Sequence, residues 1–481
     1  MKQLALAGLG TALLLGIARP ASAQGFNIYL PPDCDLDQTH FLVRNASLYV
    51  KAATESRSED QKARSIEDAK RVLNDALDGG EEANAGVWYF LARAYALDHD
   101  LQGADSAFTR AQDLFPKCAD DIDTHRRFAW VPLFNEGIEA MQNDNLALAQ
   151  RVLTEANYIA HTEPNIPYLL GSVLASAGDS EQAIELFKRT VAMAMREGEY
   201  EESYTTSFFN VARLYQATEQ YDSAAAWYVA YRELQPDDFE SLTGLAQSLD
   251  RSGQIERALP YYDSVLARSS ELSSLEVFGI GVSMFRAKHY ADAARAFTLG
   301  LDQNPFFRDG WYNLTQSYFA IANPEDERTE EAQAKKPELS PEEREVRQGA
   351  SAEMLKSAKE LVRLDPLNED VNRLLAAAFQ LNEELDSTLA VVQRIDSLQF
   401  DVSVERFEAT ATGYRLEGTI SNLKEETIAV PELVFEFVDA DGNVIVTQVQ
   451  TASSLRSGRR QRFRMSPRGE GIEGWRYHTE S

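Results

Sequence analysis

Small and bulky apolar residues recur along this chain with a spacing of about 34 residues, the length of one helical hairpin in a repeat protein. The clearest copy contains Ala92, Ala104, Phe108 and Pro116. Small residues at two fixed positions let a pair of helices approach closely, the aromatic residue fills the remaining space, and the proline ends the second helix. This pattern predicts stacked helical hairpins, each of which buries its apolar face against its neighbours.

Further copies keep this register, because in each an alanine precedes a leucine or an aromatic residue by four positions. These pairs are Ala149 and Leu153, Ala183 and Phe187, Ala224 and Tyr228, Ala258 and Tyr262, and Ala293 and Phe297. The copies resemble the tetratricopeptide repeat, and Trp88 and Trp311 occupy the tryptophan position of that family. The resemblance covers roughly residues 40–398. It implies a mainly α fold, a helical-hairpin solenoid that offers a binding surface and seldom carries chemistry.

The ordered part of the repeat array is expected over residues 85–398, with longer linkers before Trp130 and before Thr205. Residues 24–84 are interpreted as an amino-terminal lead and a degenerate helical hairpin. The two helices of that hairpin are expected to be joined by a charged turn over residues 55–64. The array is therefore predicted to have an irregular beginning.

A charged insertion near residues 323–340 interrupts the last repeats. It is poor in large apolar residues, so we expect it to be loose or disordered. Ser340 and Glu343 form a capping-box pattern with Pro341 at the first helical position. A helix should begin there and end before Pro366, and one more hairpin should follow.

From residue 400 the apolar period changes from that of a helix to two, which is typical of strands. Phe435 and Phe437 alternate with polar residues, and Asp441 and Gly442 form a tight hairpin turn. Residues 400–481 are predicted to form a small antiparallel β-sandwich. Three elements resemble the bacterial FxLYD-type immunoglobulin-like domains: residues 418–422, the turn at residues 441–442, and residues 455–458 followed by Phe463.

The first 23 residues have the pattern of a secretory signal peptide. Lys2 is followed by an apolar run over residues 4–17 and by small residues at positions 21–23. The alternative is a membrane anchor, but the run is shorter than the roughly 20 residues that span a bilayer. We therefore expect an exported protein of the periplasm or the extracellular space, with no transmembrane segment in the mature chain.

Cys34 and Cys118 are the two cysteines of the chain. In an oxidising compartment such a pair most simply forms a disulfide, which would pin the lead onto the first hairpins. The alternative is two free buried thiols. A metal site is disfavoured, because neither cysteine has a second ligand at zinc-binding spacing.

Catalytic and cofactor motifs are not found in the sequence, so it predicts no enzyme, cofactor or metal site. The six histidines are scattered and none is paired at ligand spacing. The formal net charge of −29 repels phosphate backbones and argues against nucleic acid as a partner.

One candidate site is an aromatic row at the fifth position of the first helix in each hairpin. Its members are Tyr89, Phe134, Tyr168, Phe209, Phe278 and Tyr312, and Thr243 interrupts it. The family resemblance implies that this position faces the concave groove, where Arg93 and Arg213 at position nine could pair with acidic ligand groups. Such a groove suits an extended peptide or a sugar chain. The alternative is that the rings pack against the neighbouring hairpin.

A second candidate is a run of arginines in an otherwise acidic chain. On a strand, Arg460, Arg462 and Arg464 share one face while Phe463 and Met465 share the other. This face could dock an acidic partner, anionic lipid or this chain's own acidic helices. The alternative is a solvated edge strand whose charges prevent aggregation.

Taken together, these patterns predict an exported, non-enzymatic scaffold of the cell envelope. It would bind a protein or an extended peptide through an aromatic-lined groove. The alternative function is binding of a glycan such as peptidoglycan through the same row.

Overall fold

The computed structural model describes residues 28–197, 201–324, 339–451 and 454–480. The predicted signal peptide and most of the predicted charged insertion lie outside the described residues. The chain divides into two compact units, residues 1–248 and residues 249–481.

The first unit consists of helices that pair as successive antiparallel hairpins. They are α1 (Phe41–Glu55), α2 (Glu59–Asp78), α3 (Ala85–Leu97), α4 (Leu101–Leu114), α5 (Ala119–Gln142), α6 (Leu146–Ile159), α7 (Asn165–Ala177), α8 (Ser180–Glu197), α9 (Glu201–Ala217), α10 (Tyr221–Leu234) and α11 (Phe239–Arg251). The boundary between the units falls within α11. The mainly helical hairpin fold predicted from the repeat is confirmed.

The packing inside each hairpin follows the predicted logic of small and large residues. The repeated alanine is fully buried in every copy: Ala104, Ala149, Ala183, Ala224, Ala258 and Ala293. The first helix carries a small residue opposite the bulky one. A Cβ atom added to Gly137 would lie 2.7 Å from the side chain of Leu153, and one added to Gly281 would lie 2.7 Å from the ring of Phe297. Small residues are needed here because the two helices almost touch.

Except for the turn between α1 and α2, the described turns between paired helices contain a residue with positive φ. These residues are His99, Asp144, Gly178, Glu219, Gly253, Lys288 and Glu383. Only two of these are glycine, so the sequence gives little warning of the common geometry.

Three expectations about the first unit are wrong. The charged turn predicted over residues 55–64 is only residues 56–58, because α2 begins at Glu59 with Glu59 and Asp60 in its first turn. Acidic residues stabilise the amino-terminal end of a helix, so their charge does not indicate a loop. The linker predicted before Trp130 is helical, since α5 begins at Ala119 and continues through Pro132.

The linker predicted before Thr205 is also shorter than expected. Helix α8 extends to Glu197 and α9 begins at Glu201. The longer spacing between these repeats therefore reflects longer helices.

In the second unit, helical hairpins lead into a β domain. The helices are α12 (Ile255–Leu266), α13 (Ser274–Arg286), α14 (Tyr290–Gln303), α15 (Arg308–Ala322), α16 (Pro341–Leu364), α17 (Glu369–Leu381) and α18 (Leu385–Ser397). Helix α16 begins with the predicted capping box, in which the Ser340 and Glu343 side chains bond to each other's backbone amides. It packs against α15 as the second helix of their hairpin.

The β domain has two three-stranded antiparallel sheets. The strands are β1 (Phe400–Thr410), β2 (Gly413–Asn422), β3 (Leu433–Val438), β4 (Val444–Gln450), β5 (Arg460–Met465) and β6 (Gly474–Thr479). Their orders are β1-β2-β5 and β4-β3-β6. Both sheets contribute to one apolar core that includes Ile420, Phe435 and Trp475. The predicted small antiparallel sandwich is confirmed, and the hairpin turn predicted at Asp441 and Gly442 joins β3 to β4.

Candidate functional site

The structure divides the aromatic row into buried and half-buried rings. Tyr89, Tyr168 and Phe278 are 0%, 7% and 3% exposed and lie in the helical core. Phe134, Phe209 and Tyr312 are half-buried. The core-packing alternative therefore describes the first three rings, because their neighbours cover them. The other three keep faces that a ligand could contact.

Tyr89 is at the centre of a polar cluster in the first hairpins. Its hydroxyl donates a hydrogen bond to Asp121 at 2.5 Å, and its ring packs edge-on against His125. Burial raises the pKa of Tyr89 far above its ordinary value. Helix α5, which the sequence did not predict to extend this far, supplies both Asp121 and His125.

Residues 28–40, here called the lead segment, lie against this cluster without forming a helix or strand. Arg93, four residues after Tyr89, donates from Nη1 to the carbonyl oxygen of Leu30 at 2.9 Å. The same guanidinium lies over the ring of Tyr29, 4.7 Å from its centroid. Asp121 accepts from the backbone amide of Asp33 at 3.1 Å. Two polar side chains of the first hairpins thus hold backbone groups of the chain's own amino-terminal segment.

A disulfide between Cys34 and Cys118 fixes the lead segment covalently, as the sequence predicted. Cys118 ends a short 3₁₀ turn between α4 and α5 and is buried in the core of the first hairpins. Leu36, two residues after Cys34, is also buried in that core. The bond and the buried leucine together anchor the lead segment to the repeats.

In the first unit, the half-buried rings of the aromatic row are Phe134 and Phe209, and Arg213 lies beside Phe209. Phe134 packs edge-on against Trp130, with ring centroids 6.0 Å apart. Phe209 contacts Tyr231 at 5.1 Å, and the Arg213 guanidinium lies 5.7 Å from the Phe209 ring. Arg213 also approaches Glu240 at 3.5 Å, and both side chains are partly exposed. An aromatic ring beside a half-exposed guanidinium provides contact area together with hydrogen-bond donors.

In the second unit, the row meets the β domain. Phe278 packs within 4.4 Å of Phe307, measured between ring centroids. The half-buried Tyr312 lies beside Arg308, whose guanidinium is 5.1 Å from the Tyr312 ring. Tyr312 also lines a cleft of about 290 Å³ whose opposite wall includes residues 404–407 of β1.

Three residues distant in sequence form a buried polar joint between the last repeats and the β domain. Arg308 donates to one oxygen of Asp365 at 2.9 Å, and the Tyr477 hydroxyl donates to the other at 2.8 Å. Tyr477 in turn accepts from the backbone amide of Leu367 at 3.1 Å. Asp365 is fully buried, and this burial raises its pKa to about 6 against the opposing effect of Arg308. No sequence motif marked this joint.

Phe306 fills the apolar side of the joint. A Cβ atom added to Gly474 would lie 2.3 Å from the Phe306 carbonyl oxygen, and one added to Gly442 would lie 2.5 Å from its ring. Asn304 donates to the backbone carbonyl of Glu473 at 2.9 Å. The β domain is thus seated closely on the last repeats, and two glycines make the approach possible.

The arginine face predicted on β5 has the predicted orientation. Arg460, Arg462 and Arg464 are exposed, while Phe463 and Met465 are buried. β5 is an edge strand that pairs with β2. Arg464 lies 3.5 Å from Glu417 on β2. The arrangement fits both a docking face and a charged, solvated edge, and the docking role stays a prediction.

In the described ranges, no group of three or more histidine, cysteine or acidic side chains is placed to hold a metal ion. Within those same ranges, helices that are both long enough and apolar enough for a bilayer are absent.

Comparison with known proteins agrees with the repeat pattern. The family described as Tetratricopeptide repeat matches residues 163–237 and, through a second profile, residues 210–272. These stretches of the chain are therefore tetratricopeptide repeats, which in other proteins mediate contacts between proteins. No curated protein matches the chain.

Three solved structures show some likeness to the chain. The C-terminal part of a TPR repeat-containing protein from Cytophaga hutchinsonii is 12% identical, with 55% of this chain and 95% of that chain covered and a TM-score of 0.33. MamA of Desulfovibrio magneticus is 18% identical, with coverages of 36% and 93% and a TM-score of 0.32. YrrB, described as a TPR protein with an unusual peptide-binding site, is 15% identical, with coverages of 51% and 100% and a TM-score of 0.31.

Proposed function

We propose that this chain is an exported, non-enzymatic scaffold that binds an extended segment of a protein partner along the first helices of its hairpins. The observation that carries the proposal is the lead segment. Arg93 and Asp121 hold its backbone through Leu30 and Asp33. The first hairpins therefore already bind non-helical polypeptide, in this case from the same chain.

The partner-binding face would lie on those hairpins of the first unit that the lead segment does not cover. Phe209 and Arg213 are half-buried there, and Phe134 has a similar exposure. A half-exposed ring gives a peptide contact area at little entropic cost, and a guanidinium can donate to backbone carbonyls or to carboxylates. Arg93 already donates in this way to Leu30.

Export to the cell envelope is part of the same proposal. It is supported by the signal-peptide pattern of the first 23 residues and by the disulfide, which is typical of oxidising compartments. Amino-terminal sequencing of the protein recovered from its native envelope should find Gln24 as the first residue. Recovery of the intact leader in the cytoplasm would refute export.

The likeness of the β domain to FxLYD-type domains suggests a supporting role. We infer that it provides a separate contact, with the exposed Arg460 and Arg462 directed at an acidic region of the partner. The joint at Asp365 fixes the β domain on the last repeats of the second unit.

The test is a pull-down from solubilised envelope with matched variants. Replacing Phe209 with Ala, or Arg213 with Ala, should reduce capture of the partner about tenfold while the helix content is unchanged. Tyr158, which is 51% exposed on the second helix of its hairpin, provides the control, and Tyr158→Ala should bind as the wild type does. Equal capture by all variants would refute the proposed face, and binding to isolated cell-wall sacculi in place of a protein would favour the glycan alternative.

A further inference from the structure

A cavity of about 360 Å³ lies where the lead segment meets the first hairpins. Most of its wall is apolar and includes Ile28, Leu30, Phe108 and Phe128. A cavity of this volume can hold a compact ligand, and the few polar groups in its wall decide how the ligand is oriented. Three polar residues line the cavity: Thr54, Arg93 and His125. The Thr54 hydroxyl donates to the Val50 carbonyl of its own helix, so the chemistry of the cavity depends on Arg93 and His125.

Arg93 is only 6% exposed, and among the described residues no carboxylate forms an ion pair with it. Its Nη1 donates to the Leu30 carbonyl at 2.9 Å and to the Tyr89 hydroxyl at 3.4 Å, and the Tyr29 hydroxyl also interacts with this guanidinium. A guanidinium has five N–H donors, so several remain for another acceptor. A buried cation with spare donors is costly to leave unpaired, and it favours an anionic ligand.

His125 supplies a second unused polar atom in the same wall. It is 9% exposed, and its buried Nε2 has no hydrogen-bond partner. The nearest carboxylate oxygen belongs to Asp121 at 4.0 Å, which is too far for a hydrogen bond. Burial and the nearby Arg93 charge lower the pKa of His125 to about 3, so the imidazole is neutral and can donate from one ring nitrogen.

Asp121 is not a hydrogen-bond partner of either Arg93 or His125. Its two oxygens accept hydrogen bonds from the Tyr89 hydroxyl and from the Asp33 amide. The polar wall thus offers spare donors from Arg93 and an unpaired nitrogen on His125, while the remaining wall offers apolar contact.

We propose that this cavity binds a small apolar carboxylate, with the carboxylate on Arg93 and His125 and the hydrocarbon or aromatic body against Ile28, Leu30 and Phe128. The site is separate from the partner-binding face proposed at Phe209 and Arg213. Because the lead segment forms one wall of the cavity, a bound ligand would contact both that segment and the first hairpins.

The experiment is calorimetric titration of the full mature protein with octanoate and, separately, with octanamide. N-acetylphenylalanine and its amide form a second pair, which distinguishes a linear body from an aromatic one. At least one acid should bind, and its matching amide should bind about tenfold more weakly because a charge-assisted hydrogen bond is lost. Failure of both acids to bind, or equal affinity for an acid and its amide, would overturn the proposal.

Variants locate the binding. Arg93→Gln should weaken acid binding about tenfold, but it also removes a contact to the lead segment. A second variant therefore leaves Arg93 in place: Ala129→Leu adds bulk to the cavity wall and should reduce binding by a similar factor. Ala147→Leu, on an exposed position of α6, is the matched control and should bind as the wild type does. Unchanged binding by Ala129→Leu would place the ligand elsewhere and overturn the proposal.

Discussion

Two segments outside the repeats are attached by different chemistry. In the first unit, the lead segment is held by the Cys34–Cys118 disulfide and by hydrogen bonds from its backbone to Arg93 and Asp121. In the second unit, the β domain is held without a covalent bond, by the buried ion pair of Arg308 and Asp365 and by the close fit around Phe306.

The difference follows from how much apolar surface each segment can bury. In the lead segment Leu36 is buried, whereas Ile28 and Leu30 remain 71% and 42% exposed. Such a segment gains little from the hydrophobic effect, so a covalent bond is an effective way to hold it. The β domain has its own core and can rely on complementary shape and buried polar contacts.

Breaking the ion pair of the joint should have the largest effect. Arg308→Met leaves the fully buried Asp365 without its cationic partner, which should lower the free energy of unfolding of the second unit by about 3–5 kcal/mol near neutral pH. Chemical denaturation followed by Trp fluorescence measures this. Arg373→Met removes an exposed ion pair with Glu369 and should leave the unfolding free energy nearly unchanged. An equal loss of unfolding free energy in the two variants would show that the buried ion pair stabilises the second unit no more than an exposed one does.

Removing the disulfide should have the next largest effect and should act on the first unit. The Cys34→Ser, Cys118→Ser double variant should lose about 2–4 kcal/mol of unfolding free energy, because the bond closes a long loop. Hydrogen exchange resolved by peptide should show faster exchange in residues 28–40 and unchanged exchange in the β domain. Unchanged exchange in residues 28–40 would mean that the non-covalent contacts suffice.

Adding one methyl group at the joint should have a smaller but measurable effect. Gly474→Ala places a Cβ atom against the Phe306 carbonyl oxygen and should cost about 1–3 kcal/mol through the backbone shift that it forces. Gly279→Ala is the matched control in a helix of the same unit, where an added Cβ meets nothing within 4 Å. It should stabilise the helix by about 0.5–1 kcal/mol. Thermal unfolding of both variants checks the opposite signs.

The smallest expected effect is a pH dependence of the joint. The pKa of Asp365 is raised to about 6 in the folded chain, so between about pH 4 and pH 6 the folded chain holds a proton that the unfolded chain releases. This contribution to stability is fully present below about pH 4 and is lost as the pH rises through about 6.

Other groups titrate in the same range, so the measurement is a difference between two proteins. On going from about pH 7 to about pH 5, the wild type should gain about 1 kcal/mol of unfolding free energy relative to Asp365→Asn. Parallel pH profiles for the two proteins would contradict a raised pKa at this position.

The comparison also shows what the sequence could and could not predict. The disulfide was predictable because Cys34 and Cys118 are the two cysteines of the chain, and the hairpins were predictable because Ala104 and Phe108 recur in register. Both signals are local or periodic. The joint was not predictable, because Arg308, Asp365 and Tyr477 belong to different elements and each residue alone looks like an ordinary polar residue.

The candidate site was predictable only in part, for a related reason. Helical periodicity identified the positions of Tyr89 and Phe209 correctly, but it could not tell a buried ring from a half-exposed one. Tyr89 is buried because the lead segment and α5 cover it, and neither contact is periodic. Charge misled the prediction at residues 59–64, where acidic residues begin a helix.

The central claim is that the first helices of the hairpins bind an extended protein segment, and site-specific photo-crosslinking tests it most directly. A photoreactive phenylalanine analogue would replace Phe209 in one protein and the exposed Tyr158 in another, each expressed in the native envelope. We expect one discrete crosslinked protein from position 209, lost when Arg213 is replaced by Ala, and none from position 158. Crosslinking at position 209 no greater than at position 158, or unaffected by Arg213→Ala, would contradict the central claim.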